Sequence, residues 1–200
     1  MLATFAVQAD SLGELDRQAG DGDFGHNLTS AFKRVRAELE AKPPAVYADW
    51  LTAVSRGFLG TGGTSGPLFG MFFRELARCA DGDEPTVEEL GRGLSAGLAT
   101  VQRYGKAEVG HKTMVDALAP AVDALTAPDG TLRAAAEAAD EGARSTADII
   151  ARRGRASYVG EVSRGVLDPG AVAMALIIEL AANAQGGSSA AASTEWLTEH

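Results

Sequence analysis

Glycine and proline clusters divide the chain into short intervals, and this division limits the available folds more than any other feature. Because both residues interrupt helices, each interval between clusters is a candidate helix of ordinary length. In the interval 86–104, apolar residues recur every three or four positions, as they do on the buried face of a helix. The clusters lie at residues 20–25, 43–44, 57–67, 82–85, 105–110, 128–130, 154 and 165–170.

The spacing predicts an all-α protein, a helical bundle of about eight helices. The expected bounds are 1–18, 26–41, 45–58, 67–80, 86–104, 112–126, 131–151 and 170–182. Thr86 is followed three residues later by Glu89, which is a capping-box pattern, and Asp168 and Ser65 each stand just ahead of a proline. With no internal repeat, we expect one domain over residues 1–183 and a flexible tail over residues 184–200, which are rich in Gly, Ser and Ala.

Composition and charge argue against several classes of partner. The net charge is −9, and a nucleic acid or an anionic membrane would need a basic face. The single cysteine, Cys79, excludes an intrachain disulfide and fits a reducing compartment. The sequence shows neither an apolar stretch of membrane-spanning length nor a signal-peptide pattern, so we expect a cytoplasmic protein.

Three aspartates lie within or just before the first glycine cluster: Asp16, Asp21 and Asp23. Gly20, Gly22 and Gly25 satisfy a dinucleotide-binding pattern, but no strand precedes them and the aspartates would repel a pyrophosphate. The position that an EF-hand fills with glutamate is Phe32. Converging carboxylates can hold Mg²⁺, which in turn attracts phosphate. The alternative is a solvated acidic turn.

Two further glycine-rich regions could bind an anion. Residues 60–67 combine free backbone amides at a helix start with the hydroxyls of Thr64 and Ser65, although a serine-capped helix connection has the same composition. Farther along, Arg155 could neutralise a phosphate and Asp168 could cap the last helix. A surface arginine and a structural cap are the alternatives there.

Five blocks in this order resemble the L subunit of dihydroxyacetone kinases and the equivalent nucleotide-binding domain of single-chain, ATP-dependent kinases. The blocks are Gly-Asp-Gly-Asp-x-Gly-x-Asn (20–27), Gly-Gly-Thr-Ser-Gly-Pro-Leu (62–68), Gly-x-Lys-Thr-Met-x-Asp-Ala-Leu (110–118), Gly-Arg-Ala-Ser-Tyr-x-Gly-Glu (154–161) and Leu-Asp-Pro-Gly-Ala (167–171). Two positions depart from the family pattern, which often has His where this chain has Phe24 and Asp where it has His111.

The resemblance implies an antiparallel, up-and-down barrel of eight helices with a nucleotide site at one end. Asp16, Asp21 and Asp23 would hold two Mg²⁺ ions that bridge to the phosphates of ADP or ATP. The resemblance implies no catalytic base in this chain. The implied nucleotide-binding residues are Phe24, Gly25, His26, Asn27, Thr64, Ser65, Gly110, Met114, Ala119, Arg155, Asp168, Pro169 and Gly170.

The resemblance further implies a phosphotransferase subunit. It would pass the γ-phosphoryl group to dihydroxyacetone held by a separate K-type subunit. A phosphohistidine M-type subunit of the phosphotransferase system would rephosphorylate ADP in place, whereas in the alternative version free ATP exchanges. Other readings are a kinase for another ketose such as erythrulose, a domain of the fatty-acid kinase type, and a nucleotide-loaded module that docks on a transcriptional regulator. A homodimer stays open.

Overall fold

The computed structural model describes residues 2–187 and confirms the all-α prediction. Within those residues it contains eight α-helices and no strand. The helices are α1 (Leu2–Ala19), α2 (Phe24–Ala41), α3 (Tyr47–Leu59), α4 (Ser65–Cys79), α5 (Val87–Gly105), α6 (Met114–Thr126), α7 (Leu132–Ser145) and α8 (Pro169–Gln185). Three short 3₁₀ helices lie between α7 and α8, at Thr146–Asp148, Arg155–Tyr158 and Gly160–Ser163.

The chain folds as two compact units. Unit 1 joins residues up to Gly25 with those from Ala107 onward, and unit 2 runs from His26 to Lys106. Unit 1 therefore contains α1 and α6 to α8, whereas unit 2 contains α3 to α5 and most of α2. That residues 1–183 form one domain stays a prediction.

Unit 2 is built around a cluster of phenylalanine rings on α2, α3 and α4. The Phe58 ring lies 5.4 Å from that of Phe32 and 5.4 Å from that of Phe69, measured between centroids. The pair of Phe58 and Phe73 is stacked at 5.9 Å. Such ring pairs add roughly 0.5–1.5 kcal/mol each beyond the area they bury. Ser55 Oγ donates to the Gly70 carbonyl at 2.7 Å and joins α3 to α4.

In unit 1, small residues on α7 let this helix approach its neighbours closely. Ala135, Ala139 and Ala143 on α7 are fully buried. A Cβ on Gly142 would lie 3.1 Å from Ala117 Cα on α6, so a larger residue at position 142 would force these helices apart. The central residues of α8, 171–178, are all apolar and all buried, so this part of the helix is covered on every side.

Several helix ends differ from the sequence prediction. Helix α7 ends at Ser145 rather than at residue 151, because the Ser145 and Thr146 hydroxyls donate to the carbonyls of Gly142 and Ala143 and the chain turns into a 3₁₀ helix. Helix α4 begins at Ser65, so Ser65 is its first helical residue and not its cap. Helix α8 continues to Gln185, and most of the predicted tail lies outside the described residues.

Among the described residues, no helix combines the length and apolar character needed to cross a membrane.

The predicted capping box at the start of α5 is confirmed and provides a test of the helix assignment. Glu89 N donates to Thr86 Oγ1 at 3.2 Å, and Thr86 N donates to Glu89 Oε2 at 2.7 Å. We expect Thr86→Ala to lower the free energy of unfolding by about 1 kcal/mol, since the Glu89 amide loses its acceptor. Thr86→Ser keeps a hydroxyl at this position and should lower it by much less. Urea unfolding followed by circular dichroism measures both. Equal stability of the Ala and Ser variants would contradict the cap.

Candidate functional site

Asp16 organises the connection between α1 and α2. Its Oδ2 accepts a hydrogen bond from Phe24 N at 2.9 Å, which satisfies the first amide of α2. Its carbonyl accepts from Gly20 N at 2.6 Å and ends α1. A Cβ on Gly20 would overlap Asp16 Oδ1, so glycine is required there for this carboxylate to lie over the turn. We call residues 20–23 the acidic loop.

Asp21 of the acidic loop meets an arginine from the other end of the sequence. Asp21 Oδ2 lies 2.7 Å from Arg155 Nη1, and Asp21 Oδ1 accepts from Asp23 N at 3.4 Å. Arg155 opens the second 3₁₀ helix, directly after Gly154, whose φ is +68°. The structure thus brings together two regions that are 134 residues apart in the sequence and that the resemblance assigned to one nucleotide site.

The donor set of the acidic loop fits a hard divalent cation. Burial raises the pKa of Asp16, and the neighbouring charge of Asp21 raises it further, so these two carboxylates lie close enough to repel each other. A bound Mg²⁺ ion would relieve this repulsion, because its positive charge attracts both carboxylates. Within residues 2–187, no three carboxylate, imidazole or thiol side chains already converge as a finished metal site. Here Arg155 supplies the positive charge beside Asp21.

A second Asp-Gly-Asp sequence in unit 2 shows what distinguishes the acidic loop. Asp81, Gly82 and Asp83 share its spacing, and Gly82 has φ +72° where Gly22 has +79°. Asp81 Oδ1, however, accepts a hydrogen bond from the next amide, Gly82 N, at 2.9 Å. The triplet alone therefore does not define the site, whereas the additions of Asp16 and Arg155 do.

The first turns of α6 and α8 lie side by side in unit 1. A Cβ on Gly170 would stand 3.6 Å from Met114 N, at the point where α6 begins. Asp168 caps α8 by accepting from Ala171 N at 2.7 Å, as predicted, and Pro169 fills the first helical position. Gly110, Met114, Asp168, Pro169 and Gly170, which the resemblance implies for nucleotide binding, are thereby brought together, and Ala119 lies farther along α6.

Asp168 is the most strongly perturbed acid of the site. Burial raises the pKa of Asp168 to about 7, and the negative charges of Asp116 and Asp16 act in the same direction. The Ala171 amide and the Lys112 ammonium oppose this shift without cancelling it. The charge of Asp16, at the end of α1, thus acts on the acid that caps α8.

The remaining predicted residues start two helices. Phe24 and Gly25 are buried in the first turn of α2, where Phe24 N is already bonded to Asp16, and His26 is exposed. In unit 2, Asn27 Nδ2 would lie 3.1 Å from a Cβ on Gly63, so this amide borders the glycine-rich loop before α4. Thr64 and Ser65 occupy the cap and first positions of α4.

The burial of two charged residues in the 110–118 block, Lys112 and Asp116, was not predicted from the sequence. Asp116 accepts from Gly110 N at 2.5 Å and from Thr113 N at 2.7 Å, and so closes the turn before α6. The pattern Thr113-x-x-Asp116 is a capping box that could have been recognised. Lys112 is 1% exposed, and nothing in the sequence around it predicts that burial.

The chain belongs to the DAK2 domain family, whose model matches residues 18–183. This confirms the resemblance to dihydroxyacetone kinases and the assignment as a kinase subunit. A relative from Listeria innocua, PEP-dependent dihydroxyacetone kinase 1, ADP-binding subunit DhaL, is 36% identical over 83% of this chain and 82% of its own. The corresponding ADP-binding subunit DhaL of Escherichia coli is 36% identical over 89% of both chains.

A solved structure shows the same fold. The dihydroxyacetone kinase of C. freundii in complex with AMP-PNP and Mg²⁺ matches 92% of this chain with a TM-score of 0.68 and 31% identity. This chain covers 32% of that protein, so it spans about a third of the kinase that it resembles.

The raised pKa of Asp168 predicts a pH-dependent stability. The fold favours the protonated form of Asp168, so this residue should stabilise the protein most at low pH. Its contribution to the free energy of unfolding should decrease as pH rises from about 4, where the unfolded carboxyl titrates, and level off above about 7. Asp168→Asn keeps a good N-cap residue and should lack this component. Urea unfolding of both proteins in EDTA across this range measures the difference. A difference that does not change with pH would contradict the assignment.

Proposed function

We propose that this chain is the nucleotide-binding subunit of a dihydroxyacetone kinase. It would hold Mg-ADP or Mg-ATP and pass the terminal phosphoryl group to dihydroxyacetone on a separate K-type subunit. The contact of 2.7 Å between Asp21 Oδ2 and Arg155 Nη1 carries the proposal, because it places a phosphate-neutralising cation beside the carboxylates suited to a metal. The names of the two bacterial relatives, both ADP-binding subunits, support it.

Asp16, Asp21 and Asp23 would hold two Mg²⁺ ions. When bound, Mg²⁺ supplies positive charge that neutralises phosphate oxygens. Arg155 lies beside Asp21 and would donate to a phosphate oxygen once Asp21 has a metal partner. The family resemblance further implies that Asn27, Thr64 and Ser65 would meet phosphate oxygens and that Gly110, Met114 and Ala119 would line the adenine side.

The reaction requires little more of this chain than binding and orientation. The bond between the terminal phosphorus and the bridging oxygen of the donor breaks, a bond to the ketose hydroxyl oxygen forms, and the hydroxyl proton is released. Phosphoryl transfer depends chiefly on alignment and on charge neutralisation. We therefore assign no general base to these residues.

We further propose that the phosphoryl donor is a phosphohistidine protein of the phosphotransferase system, the M-type subunit, acting in the cytoplasm. The PEP-dependent names of the two relatives support this choice over free ATP. A donor site with three carboxylates and an arginine should release ADP slowly, so ADP would act as a cofactor that is rephosphorylated in place.

Binding of ADP should depend strictly on Mg²⁺ and on the acidic loop. We expect Asp21→Asn to abolish ADP binding in calorimetry while the helical circular dichroism stays unchanged, because the loop carboxylates reach phosphate only through metal. Asp81→Asn is the matched control, since it makes the same change at the corresponding position of the second Asp-Gly-Asp sequence. Undiminished ADP affinity in EDTA, or equal losses in the two variants, would contradict the metal assignment.

The donor is tested by counting product per chain. With a K-type partner, dihydroxyacetone and phosphorylated M-type protein, the chain should turn over many times at catalytic ADP. Added ATP should give little more than one turnover per bound site.

Sustained turnover on ATP alone would place the chain with the ATP-dependent kinases. Product from erythrulose but not from dihydroxyacetone would identify the chain as part of a kinase for another ketose. Mg-ADP binding without transfer to any ketose would favour a module that docks on a transcriptional regulator.

A further inference from the structure

Lys112 is a buried lysine to which the proposed function gives no role. Its side chain is 1% exposed, and its backbone adopts a left-handed conformation with φ +60°. Both features are unfavourable, because a buried ammonium loses its hydration and a non-glycine residue is strained in this region. Specific contacts must therefore compensate for them.

Those contacts join two distant points of the chain. Lys112 Nζ donates to the carbonyl oxygens of Thr146 and Val166. These residues are the two ends of the stretch 146–166, which we call the Arg155 segment. Its ends are also joined by Gly165 N, which donates to the Ala147 carbonyl at 2.8 Å. The segment thus leaves and rejoins the rest of unit 1 at one base, which the Lys112 ammonium and one backbone hydrogen bond hold together.

The segment connects the Lys112 turn to the acidic loop. Arg152 N donates to the His111 carbonyl at 3.1 Å, so the segment is bonded to the turn at a third point. Three residues farther on, the Arg155 guanidinium reaches Asp21. The position of this guanidinium therefore depends on where the base of the segment is held.

Burial lowers the pKa of Lys112, and the Arg164 cation acts in the same direction. The negative charges of Asp168, Asp116 and Asp148 oppose this shift without cancelling it. Thr146 also contacts the α8 cap directly, since Asp168 N donates to Thr146 Oγ1 at 2.9 Å. The fastening point thus lies beside the start of α8.

We propose that Lys112 is a positioning residue that fastens both ends of the Arg155 segment and thereby holds the Arg155 guanidinium at the acidic loop. The inference rests on the proposed function in one respect, namely that Arg155 contributes to Mg-ADP binding. It assigns to Lys112 no contact with the nucleotide.

Hydrogen–deuterium exchange of the nucleotide-free chain tests the fastening itself. Lys112→Met keeps the length of the side chain but removes its donors, so amides of the Arg155 segment such as Arg152 and Gly165 should exchange roughly tenfold faster. Amides within α7 should be unaffected. Lys106→Met is the matched control, because Lys106 also has a left-handed backbone, with φ +49°, but is exposed. If Lys112→Met does not fold, Lys112→Gln takes its place.

A double-mutant cycle tests whether the fastening acts through Arg155. By calorimetry, Lys112→Met should raise the Kd for Mg-ADP roughly tenfold when Arg155 is present, and less than about threefold in an Arg155→Ala background. A purely structural defect would raise the Kd by the same factor in both backgrounds and would overturn the proposal.

Unchanged exchange in the Arg155 segment would also overturn it. Faster exchange in a protein whose unsubstituted form binds no Mg-ADP would support the fastening and contradict the proposed function, so the two failures are distinguishable.

Discussion

Close approach of small residues on α6 and α7 is the constraint on which the arrangement of unit 1 depends. Alanines on α7 are completely buried, and Gly142 comes within contact distance of the α6 backbone. This packing, together with the buried α8, sets the starts of α6 and α8 beside each other, where Gly170 nears Met114 N. The residues between α7 and α8 then form an excursion from the helices, and Arg155 lies on it. The packing of these helices therefore also positions the residues of the candidate site in unit 1.

The acidic loop shares its Asp-Gly-Asp triplet with residues 81–83 but differs from them in its surroundings. The Asp-Gly-Asp triplet at 81–83 has the same spacing and the same left-handed glycine, yet Asp81 accepts from its own neighbouring amide. At the acidic loop, Asp16 approaches from α1 and Arg155 from beyond α7. Asp16 thereby adds a carboxylate from a second element to those of the acidic loop, as suits a cation that takes several oxygen ligands.

Much of the fold could be predicted because it is encoded locally. Helix intervals, the Thr86 capping box and the Asp168 cap depend on residues a few positions apart, and each is found in the structure. The end of α7 could not be predicted, because alanines continue at helical spacing beyond Thr146 in the sequence. In the structure the helix ends where the Thr146 hydroxyl donates to the Ala143 carbonyl. The ion pair of Asp21 with Arg155 and the burial of Lys112 depend on tertiary contacts, which no local pattern encodes.

Paramagnetic broadening by Mn²⁺ tests most directly the claim that the acidic loop, with Arg155, holds the metal and the nucleotide. Mn²⁺ is titrated at substoichiometric amounts into the isotope-labelled chain with ADP, and the intensity of each backbone amide signal is recorded. If the acidic loop holds the metal, amides of residues 20–24 and of Arg155 should lose intensity first, while those of residues 81–84 keep theirs. Equal or earlier loss at residues 81–84, or no selective loss at residues 20–24, would contradict a metal site at the acidic loop.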